Sequence, residues 1–243
     1  PIANSQPPYP APRSSNPRVG TLGEKPLHAS LKQWCSEPGD RFEVPVDGFV
    51  IDIVRDALLI EIQTKSFSSM KRKLHTLLDA GHRVRLVHPI GLEKMIVKVD
   101  GEGLEISRRR SPVRGRPTDL FRELVSFPTL IDHPGCEIEI VLVREEEIRY
   151  HDPDRAWRRK GWVIAERRLV EVVDSARYAD AASLLTLLPE DLGEVFTTAD
   201  LARTAGCNRR VAQQMAYCLR EAGQIVKAGK QGNAVEYRVA ATV

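Results

Sequence analysis

The sequence lacks the features that mark membrane, secreted and disulfide-stabilised proteins. Its four cysteines are scattered without a close CxxC pair, which favours reduced thiols over a zinc site or a disulfide framework. No run approaches the ~20 apolar residues of a membrane helix, and the charged-then-apolar pattern of a secretory signal is missing. No GxxxxGK[ST] motif is present, so any use of ATP would need a partner. We therefore expect a cytoplasmic protein without membrane association.

The composition is that of a soluble globular protein with basic clusters. Of 243 residues, 42% are hydrophobic and 28% are charged, and the net charge is +3. Positive charge is concentrated in short runs, at 108–110, 114–116, 158–160, 167–168 and 209–210. Such runs are compatible with a polyanionic partner, although most charge runs are solvated faces.

The pattern along the chain divides it into four parts. Residues 1–23 carry PPYPAP and little apolar content, which predicts a flexible tail. Residues 24–100 alternate helical and strand patterns, which predicts an α/β domain. Residues 101–180 form a basic extension and connecting region, and residues 181–243 form a small separate domain. The predicted elements are a helix around Leu27, Leu31 and Trp34, strands at 41–46, 49–54, 58–64, 83–90, 94–99, 137–143, 224–228 and 234–239, and helices at 66–80, 117–125, 163–174, 197–205 and 208–222.

Two acids interrupt apolar strands in the stretch FVIDIVRDALLIEIQTK, which runs from Phe49 to Lys65. A two-residue turn at 56–57 would place Asp52 directly opposite Glu61, with Gln63 and Lys65 on the same face. Opposed side chains lie ~5 Å apart, and two carboxylates that close repel each other unless a cation lies between them. Hard cations such as Mg²⁺ prefer oxygen ligands. The alternative is an edge hairpin in which both acids face solvent.

The order helix, strand, strand with Asp, strand with Glu-x-Gln and helix resembles the PD-(D/E)xK nuclease superfamily over about residues 24–90. The resemblance implies a restriction-endonuclease-like mixed sheet with flanking helices. It also implies that Asp52 and Glu61 bind Mg²⁺ or Mn²⁺ and that the metal activates a water for attack on a phosphodiester. Gln63 departs from the family pattern, which has Lys at this position to stabilise developing negative charge. Some restriction endonucleases of the family carry Gln there, whereas a degenerate copy would only bind DNA.

Other residues are candidates for the same site. Lys65, or Lys71 or Lys73 on the next helix, could supply the missing positive charge, although each also fits a solvated basic face. Family members often add an acid from the first helix, which makes Glu24 a candidate metal ligand and His28 an outside candidate. An acid in a first helical turn is also a common partner of the helix dipole.

The C-terminal pattern of two helices and a hairpin is that of a winged helix. One side of the 208–222 helix is apolar, and the other side carries groups suited to reading guanine and adenine in the major groove. Lys227 and Lys230 on the hairpin could meet phosphates, and AWRRKGW at 156–162 could grip a nucleic acid or anchor two domains. The predicted nucleic-acid-binding residues are Arg209, Arg210, Gln213, Gln214, Lys227, Lys230, Arg158, Arg159 and Lys160.

Together these patterns favour a metal-dependent DNA endonuclease, or a subunit of one, with DNA engaged by the C-terminal winged helix. The rival hypothesis is a DNA-binding protein without catalysis, either a regulator or the recognition subunit of a larger complex. A third is an interaction scaffold in which both modules bind protein. A homodimer and a larger multi-subunit complex are both compatible with the sequence.

Overall fold

The structure is a computed structural model that describes residues 25–155 and 160–241. The first helix, α1, is followed by a three-stranded meander, a helical crossover and a long strand, in the order that the sequence predicts. The crossover begins with a 3-10 turn at Phe67–Met70 that continues into α2. The elements of this half are α1 (Pro26–Cys35), β1 (Arg41–Val46), β2 (Phe49–Arg55), β3 (Leu58–Ile62), α2 (Lys71–Asp79) and β4 (Arg83–Val99).

The second half adds three strands to the sheet and then a small helical and hairpin module. A 3-10 turn at Pro117–Leu120 leads directly into the short helix α3, and another at Ala182–Leu187 precedes the module. The elements are β5 (Glu105–Arg110), α3 (Phe121–Leu124), β6 (Cys136–His151), β7 (Trp162–Tyr178), β8 (Phe196–Thr197), α4 (Thr198–Thr204), α5 (Arg209–Glu221), β9 (Ile225–Gln231) and β10 (Ala234–Val239).

Seven strands form one mixed sheet. The strand order is β1-β2-β3-β4-β6-β7, and β5 pairs with β4 off this path. The first three strands are antiparallel, whereas β3 and β4 run parallel. Parallel neighbours require a crossover, and here α2 lies in that connection. The predicted α/β class with a large mixed sheet and flanking helices is confirmed.

Two predictions about the strands need correction. The strands predicted at 83–90 and 94–99 are one continuous strand, which passes through Gly91. A Cβ on Gly91 would lie 3.2 Å from a carboxylate oxygen of Glu145, so glycine leaves room for that side chain and does not break the strand. The helix predicted at 163–174 is wrong, because this segment lies within β7. Its many β-branched residues favour a strand. Every residue along 162–169 is partly buried, so the segment has no single apolar face whose spacing would distinguish a helix from a strand.

Each helix of the C-terminal module begins at a side-chain cap. The side chain of Thr197 accepts a hydrogen bond from the Asp200 N–H, and that of Asn208 accepts one from the Val211 N–H. Its three strands are ordered β8-β10-β9. Gln231 pairs with Ala234, so the turn is Gly232-Asn233, with Gly232 at φ +60° in the left-handed region.

The chain forms two compact units. Of the described residues, those of one unit lie in 25–35, 91–115 and 143–173, and those of the other lie in 36–90, 116–142 and 174–241. Within the second unit, buried residues of the sheet and its helices form one hydrophobic cluster with those of the C-terminal module. The module is therefore built into the core of this unit.

Candidate functional site

The hairpin of β2 and β3 has the predicted register. Ile53 pairs with Ile60, Val54 with Leu59 and Arg55 with Leu58, so the turn consists of residues 56 and 57. Asp56 takes φ +50° in this turn, a conformation that Asp and Asn adopt more readily than most residues. The next opposed residues after the last pair are Asp52 and Glu61.

Regular backbone pairing of the two strands stops at these acids, and their carboxylates accept backbone hydrogen bonds there instead. The Asp52 N–H donates to Glu61 Oε1 at 3.3 Å, and the Ile62 N–H donates to Asp52 Oδ2 at 2.8 Å. Each side chain therefore accepts a backbone hydrogen bond from the opposite strand. The acids lie together where the two strands part, and Glu61 is buried with 5% exposure while Asp52 is half-buried.

A lysine from the crossover helix completes the cluster. Lys73 Nζ lies 2.6 Å from Glu61 Oε1 and donates to the Val50 carbonyl at 2.6 Å. The side chains of Lys73 and Glu61 are 14% and 6% exposed, so the ion pair is largely withdrawn from water. Lys73 lies four residues before the buried Leu77, so both side chains share one face of α2.

Burial controls the charge of the central acid. Desolvation raises the pKa of Glu61 to about 7, and the nearby Asp52 carboxylate pushes it in the same direction. The Lys73 ammonium and the Asp52 N–H lower the pKa of Glu61, but they offset only part of the effect of burial. Glu61 therefore gains or loses a proton near neutral pH, which is typical of groups that take part in binding or chemistry.

The residues that follow Glu61 depart from the prediction. β3 ends at Ile62, whereas the prediction continued it to residue 64. The Gln63 amide donates to the Ser66 carbonyl at 3.1 Å and to Ser69 Oγ at 2.8 Å, so it closes the turn that follows β3. Strand alternation consequently does not extend to Lys65, which is exposed in this turn and is not placed on the acid face by the sheet.

The neighbouring strand brings a histidine beside this turn. His88 Nδ1 lies 2.7 Å from the Gln63 carbonyl oxygen, and its ring packs edge-on against the buried Phe67 with centroids 4.9 Å apart. His88 was not among the predicted site residues. Its position could be inferred only from the pairing of Ile62 with Val87, which the sequence does not reveal.

The acid pair can supply two oxygen-donating side chains to a cation. Among residues 25–155 and 160–241, no group of three or more His, Cys, Asp or Glu side chains has a metal-binding arrangement. Mg²⁺ commonly takes only one or two protein carboxylates and keeps several waters. The donors at Asp52 and Glu61 therefore fit Mg²⁺ or Mn²⁺ better than a metal that needs a full protein cage.

The residues predicted to form the reading face of α5 differ in exposure. Arg209, Arg210 and Gln213 are exposed along one side of the helix. Gln214 is half-buried, with Oε1 enclosed and without a hydrogen-bond partner, so it does not belong to the exposed stripe. Tyr217, with 40% exposure, continues the stripe instead.

Three of the remaining predicted basic residues are exposed, and two lie outside the described residues. Lys227 and Lys230 are exposed on β9, and Lys160 is exposed beside Gly161. Glu24, Arg158 and Arg159, like the predicted tail at 1–23, lie outside the described residues.

Several basic runs of the first unit are engaged in ion pairs. Arg108 pairs with Glu105 and Glu146, and Arg110 lies 3.3 Å from Glu93. The 167–168 run is likewise paired, with Glu145 and Glu166. These charges are largely balanced within the unit, which weakens the polyanion interpretation of both runs.

The positive charge beside the acid pair is that of Lys73, which the sequence alone did not identify. Sequence reasoning named Lys65, Lys71 and Lys73 without a means of choosing among them. Lys65 and Lys71 are exposed, and only Lys73 is paired with Glu61. Helical spacing does not separate Lys73 from Lys71, because Lys73 lies four residues before the buried Leu77 and Lys71 lies three residues before the buried Leu74.

Comparisons with known proteins place the chain in a family. A relative from Treponema pallidum (strain Nichols), named "Uncharacterized protein", is 32% identical over 222 residues, which cover 90% of this chain and 87% of the relative. This match must extend into the C-terminal module. No solved structure matches the chain. A family model matches residues 25–179, and the chain therefore belongs to the family described as "Domain of unknown function (DUF8091)".

Proposed function

We propose that this protein is a metal-dependent DNA nuclease of the PD-(D/E)xK type. The observation that carries the proposal is the cluster of Asp52, Glu61 and Lys73 at the point where the β2–β3 hairpin opens. The hairpin is followed by a helical crossover to a parallel strand, the order that the resemblance implies for this superfamily. Charged groups that are largely withdrawn from water are costly to a fold, and a catalytic role gives a reason to retain them.

The roles of the residues follow from their positions. Asp52 and Glu61 would hold Mg²⁺ or Mn²⁺, which when bound lowers the pKa of an attacking water and stabilises charge on a phosphate. Lys73 would provide the positive charge that Gln63 cannot, because its ammonium lies beside Glu61 and the Gln63 amide closes a turn. Glu61 would lose the proton that it holds near neutral pH when it binds the cation, because a coordinating carboxylate is ionised.

We propose further that the C-terminal module is a winged helix that engages DNA. The strand order β8-β10-β9 around α4 and α5 supports this interpretation. The exposed Arg209, Arg210 and Gln213 can pair with base edges in a major groove, and Lys227 and Lys230 can meet phosphates.

Nuclease assays with matched variants test the proposal. The wild-type chain should cut plasmid or single-stranded DNA with Mg²⁺ or Mn²⁺, and EDTA should abolish cutting. Asp52→Asn and Lys73→Met should each lower the single-turnover rate by ~10²–10³. Asp56→Asn in the same hairpin and Lys71→Met on the same helix are the controls and should cut like the wild type, because both residues are exposed.

A DNA-binding protein without catalysis is the second candidate, and one observation favours it. Gln63 is committed to the Ser66–Ser69 turn, and Glu61 is already paired with Lys73, so these side chains have partners without a cation. DNA binding by the wild type, together with the absence of any product in single-turnover assays with either metal, would select this candidate.

A further inference from the structure

The acid pair and α5 belong to the same compact unit, and the chain enters the C-terminal module through buried residues. Tyr178 at the end of β7 is 4% exposed, Ala181 is fully buried and Leu184 is 1% exposed. All three belong to the hydrophobic cluster that also contains Met215 and Leu219 of α5. The connection to the module is therefore packed into the core and does not have the character of a free linker.

The segment between β3 and α2 is fixed to α3. The Phe67 N–H donates to Glu123 Oε2 at 3.0 Å, and the Phe67 ring stacks on Phe127 with centroids 5.4 Å apart and planes 2° apart. Phe67 is completely buried and follows Gln63 by only four residues. The position of α3 is thereby tied to the strand that carries Glu61.

The opposite side of α3 is fixed to the C-terminal module. Phe121 is completely buried in the shared cluster, and its carbonyl oxygen lies 4.0 Å from Cys218 Sγ on α5. Just before α3, Arg116 Nη1 donates to the Ala205 carbonyl at 3.1 Å, where α4 ends. One short helical segment therefore contacts both the acid-bearing part of the unit and the helix with the exposed Arg209.

We propose that α5 and the acid pair are held in one rigid body, which we term a rigid gauge. DNA whose bases are read by α5 would then cross the acid pair at a fixed number of base pairs from those bases. The proposal rests on the proposed function, because it needs α5 to read DNA and the acid pair to face it. A close-packed interior transmits position without slack, whereas a flexible linker would allow cuts at many distances.

The test begins with the sequence that the full chain prefers. Selection from a random duplex library should yield a preferred sequence, and Arg209→Ala should weaken binding to it roughly 5- to 150-fold. The matched control is Arg203→Ala, an exposed arginine on α4 that pairs locally with Asp200. Failure to select any preferred sequence overturns the gauge.

The distance is then measured without relying on nuclease activity. An iron–EDTA chelate is attached to the exposed position 65 in a Lys65→Cys chain whose Cys35 and Cys207 are changed to serine. We expect hydroxyl-radical scission in one narrow window at a constant offset from the preferred sequence. Scission spread over many offsets overturns the proposal.

Metal-dependent cuts mapped on the same DNA separate this inference from the proposed function. Cuts at the same single offset support both. Narrow radical scission without metal-dependent product rejects the nuclease and leaves the gauge standing. Metal-dependent cuts scattered around the preferred sequence support the nuclease and reject the gauge.

Discussion

The contacts of Glu61 explain why an acid occupies a strand position that would ordinarily favour valine or isoleucine. Its carboxylate accepts the Asp52 N–H across the point where the strands part, and it pairs with Lys73. An aliphatic side chain at this position would leave that N–H without its acceptor, and it would leave the Lys73 ammonium without a counter-charge in a largely buried place. Such unsatisfied groups cost more than the hydrophobic gain of a larger apolar side chain.

The pKa of Glu61 makes the stability of the protein depend on pH. The pKa rises from 4.5 to about 7 on folding, so between these values the folded chain holds a proton that the unfolded chain has released. The free energy of unfolding should therefore fall as pH rises from 4.5 to 7, by about 3 kcal/mol, and this contribution should be constant above 7.

The measurement compares urea unfolding of the wild type and Glu61→Gln at pH 5 and pH 8. The variant should lose this part of the pH dependence, because glutamine does not titrate. Glu102→Gln, at an exposed turn position, is the control and should retain the wild-type slope. Equal slopes for the wild type and Glu61→Gln would show that the carboxyl group is not perturbed by burial.

Cation binding at the acid pair should stabilise the folded protein whether or not it cuts DNA. At pH 8, Mg²⁺ or Mn²⁺ at ~100 times its dissociation constant should add ~2.7 kcal/mol. Because a chain of this size gains roughly 2–4 °C per kcal/mol, calorimetry should resolve the increase in Tm. EDTA and Asp52→Asn should each abolish the increase, and Asp56→Asn should preserve it. An increase that survives Asp52→Asn would place the cation elsewhere.

At the scale of the element, α5 has one buried and one exposed side. Val211, Met215 and Leu219 are fully buried, whereas Arg209 and Gln213 face outward. We expect Arg209→Ala or Gln213→Ala to weaken DNA binding by ~1–3 kcal/mol per lost base contact and to relax sequence preference. Binding assays over a set of single-base changes check this. Unchanged preference in both variants would exclude base reading by α5.

The hairpin of β9 and β10 should contact DNA phosphates, in contrast to the base contacts expected of α5. Lys230 lies on β9 opposite Val235, next to the Gly232-Asn233 turn, and its side chain is exposed. Phosphate contacts carry little sequence information. Lys230→Ala should therefore weaken binding to all DNA sequences alike. It should also reduce the slope of log affinity against log salt concentration by about one. A change confined to one sequence would indicate a base contact instead.

At the scale of the whole molecule, the C-terminal module and the acid-bearing part of the sheet share one core. Leu120, Phe121 and Leu124 are at most 1% exposed in a cluster that includes Met215 and Leu219. Removing the module would uncover them, and each large apolar side chain contributes ~1.5–3 kcal/mol when buried. The fragment 25–179 should therefore lose most of its stability relative to 25–243.

Hydrogen exchange of the two fragments checks this expectation. Protection of β2 and β3 should be strong in 25–243 and nearly lost in 25–179. Equal protection in both fragments would show that the residues matched by the family model fold without the module, and it would also remove the basis for a rigid gauge.

The sequence determined the local features by itself, because their causes are local. Alternation and a two-residue turn set the register that opposes Asp52 and Glu61, and side-chain caps set the starts of α4 and α5. Tertiary structure decided the rest. It made β7 a strand where apolar spacing had predicted a helix, and it selected Lys73 from three candidate lysines. It also placed the C-terminal module in the core. These outcomes depend on partners distant in the chain, and a local pattern cannot encode which distant surface will bury a side chain.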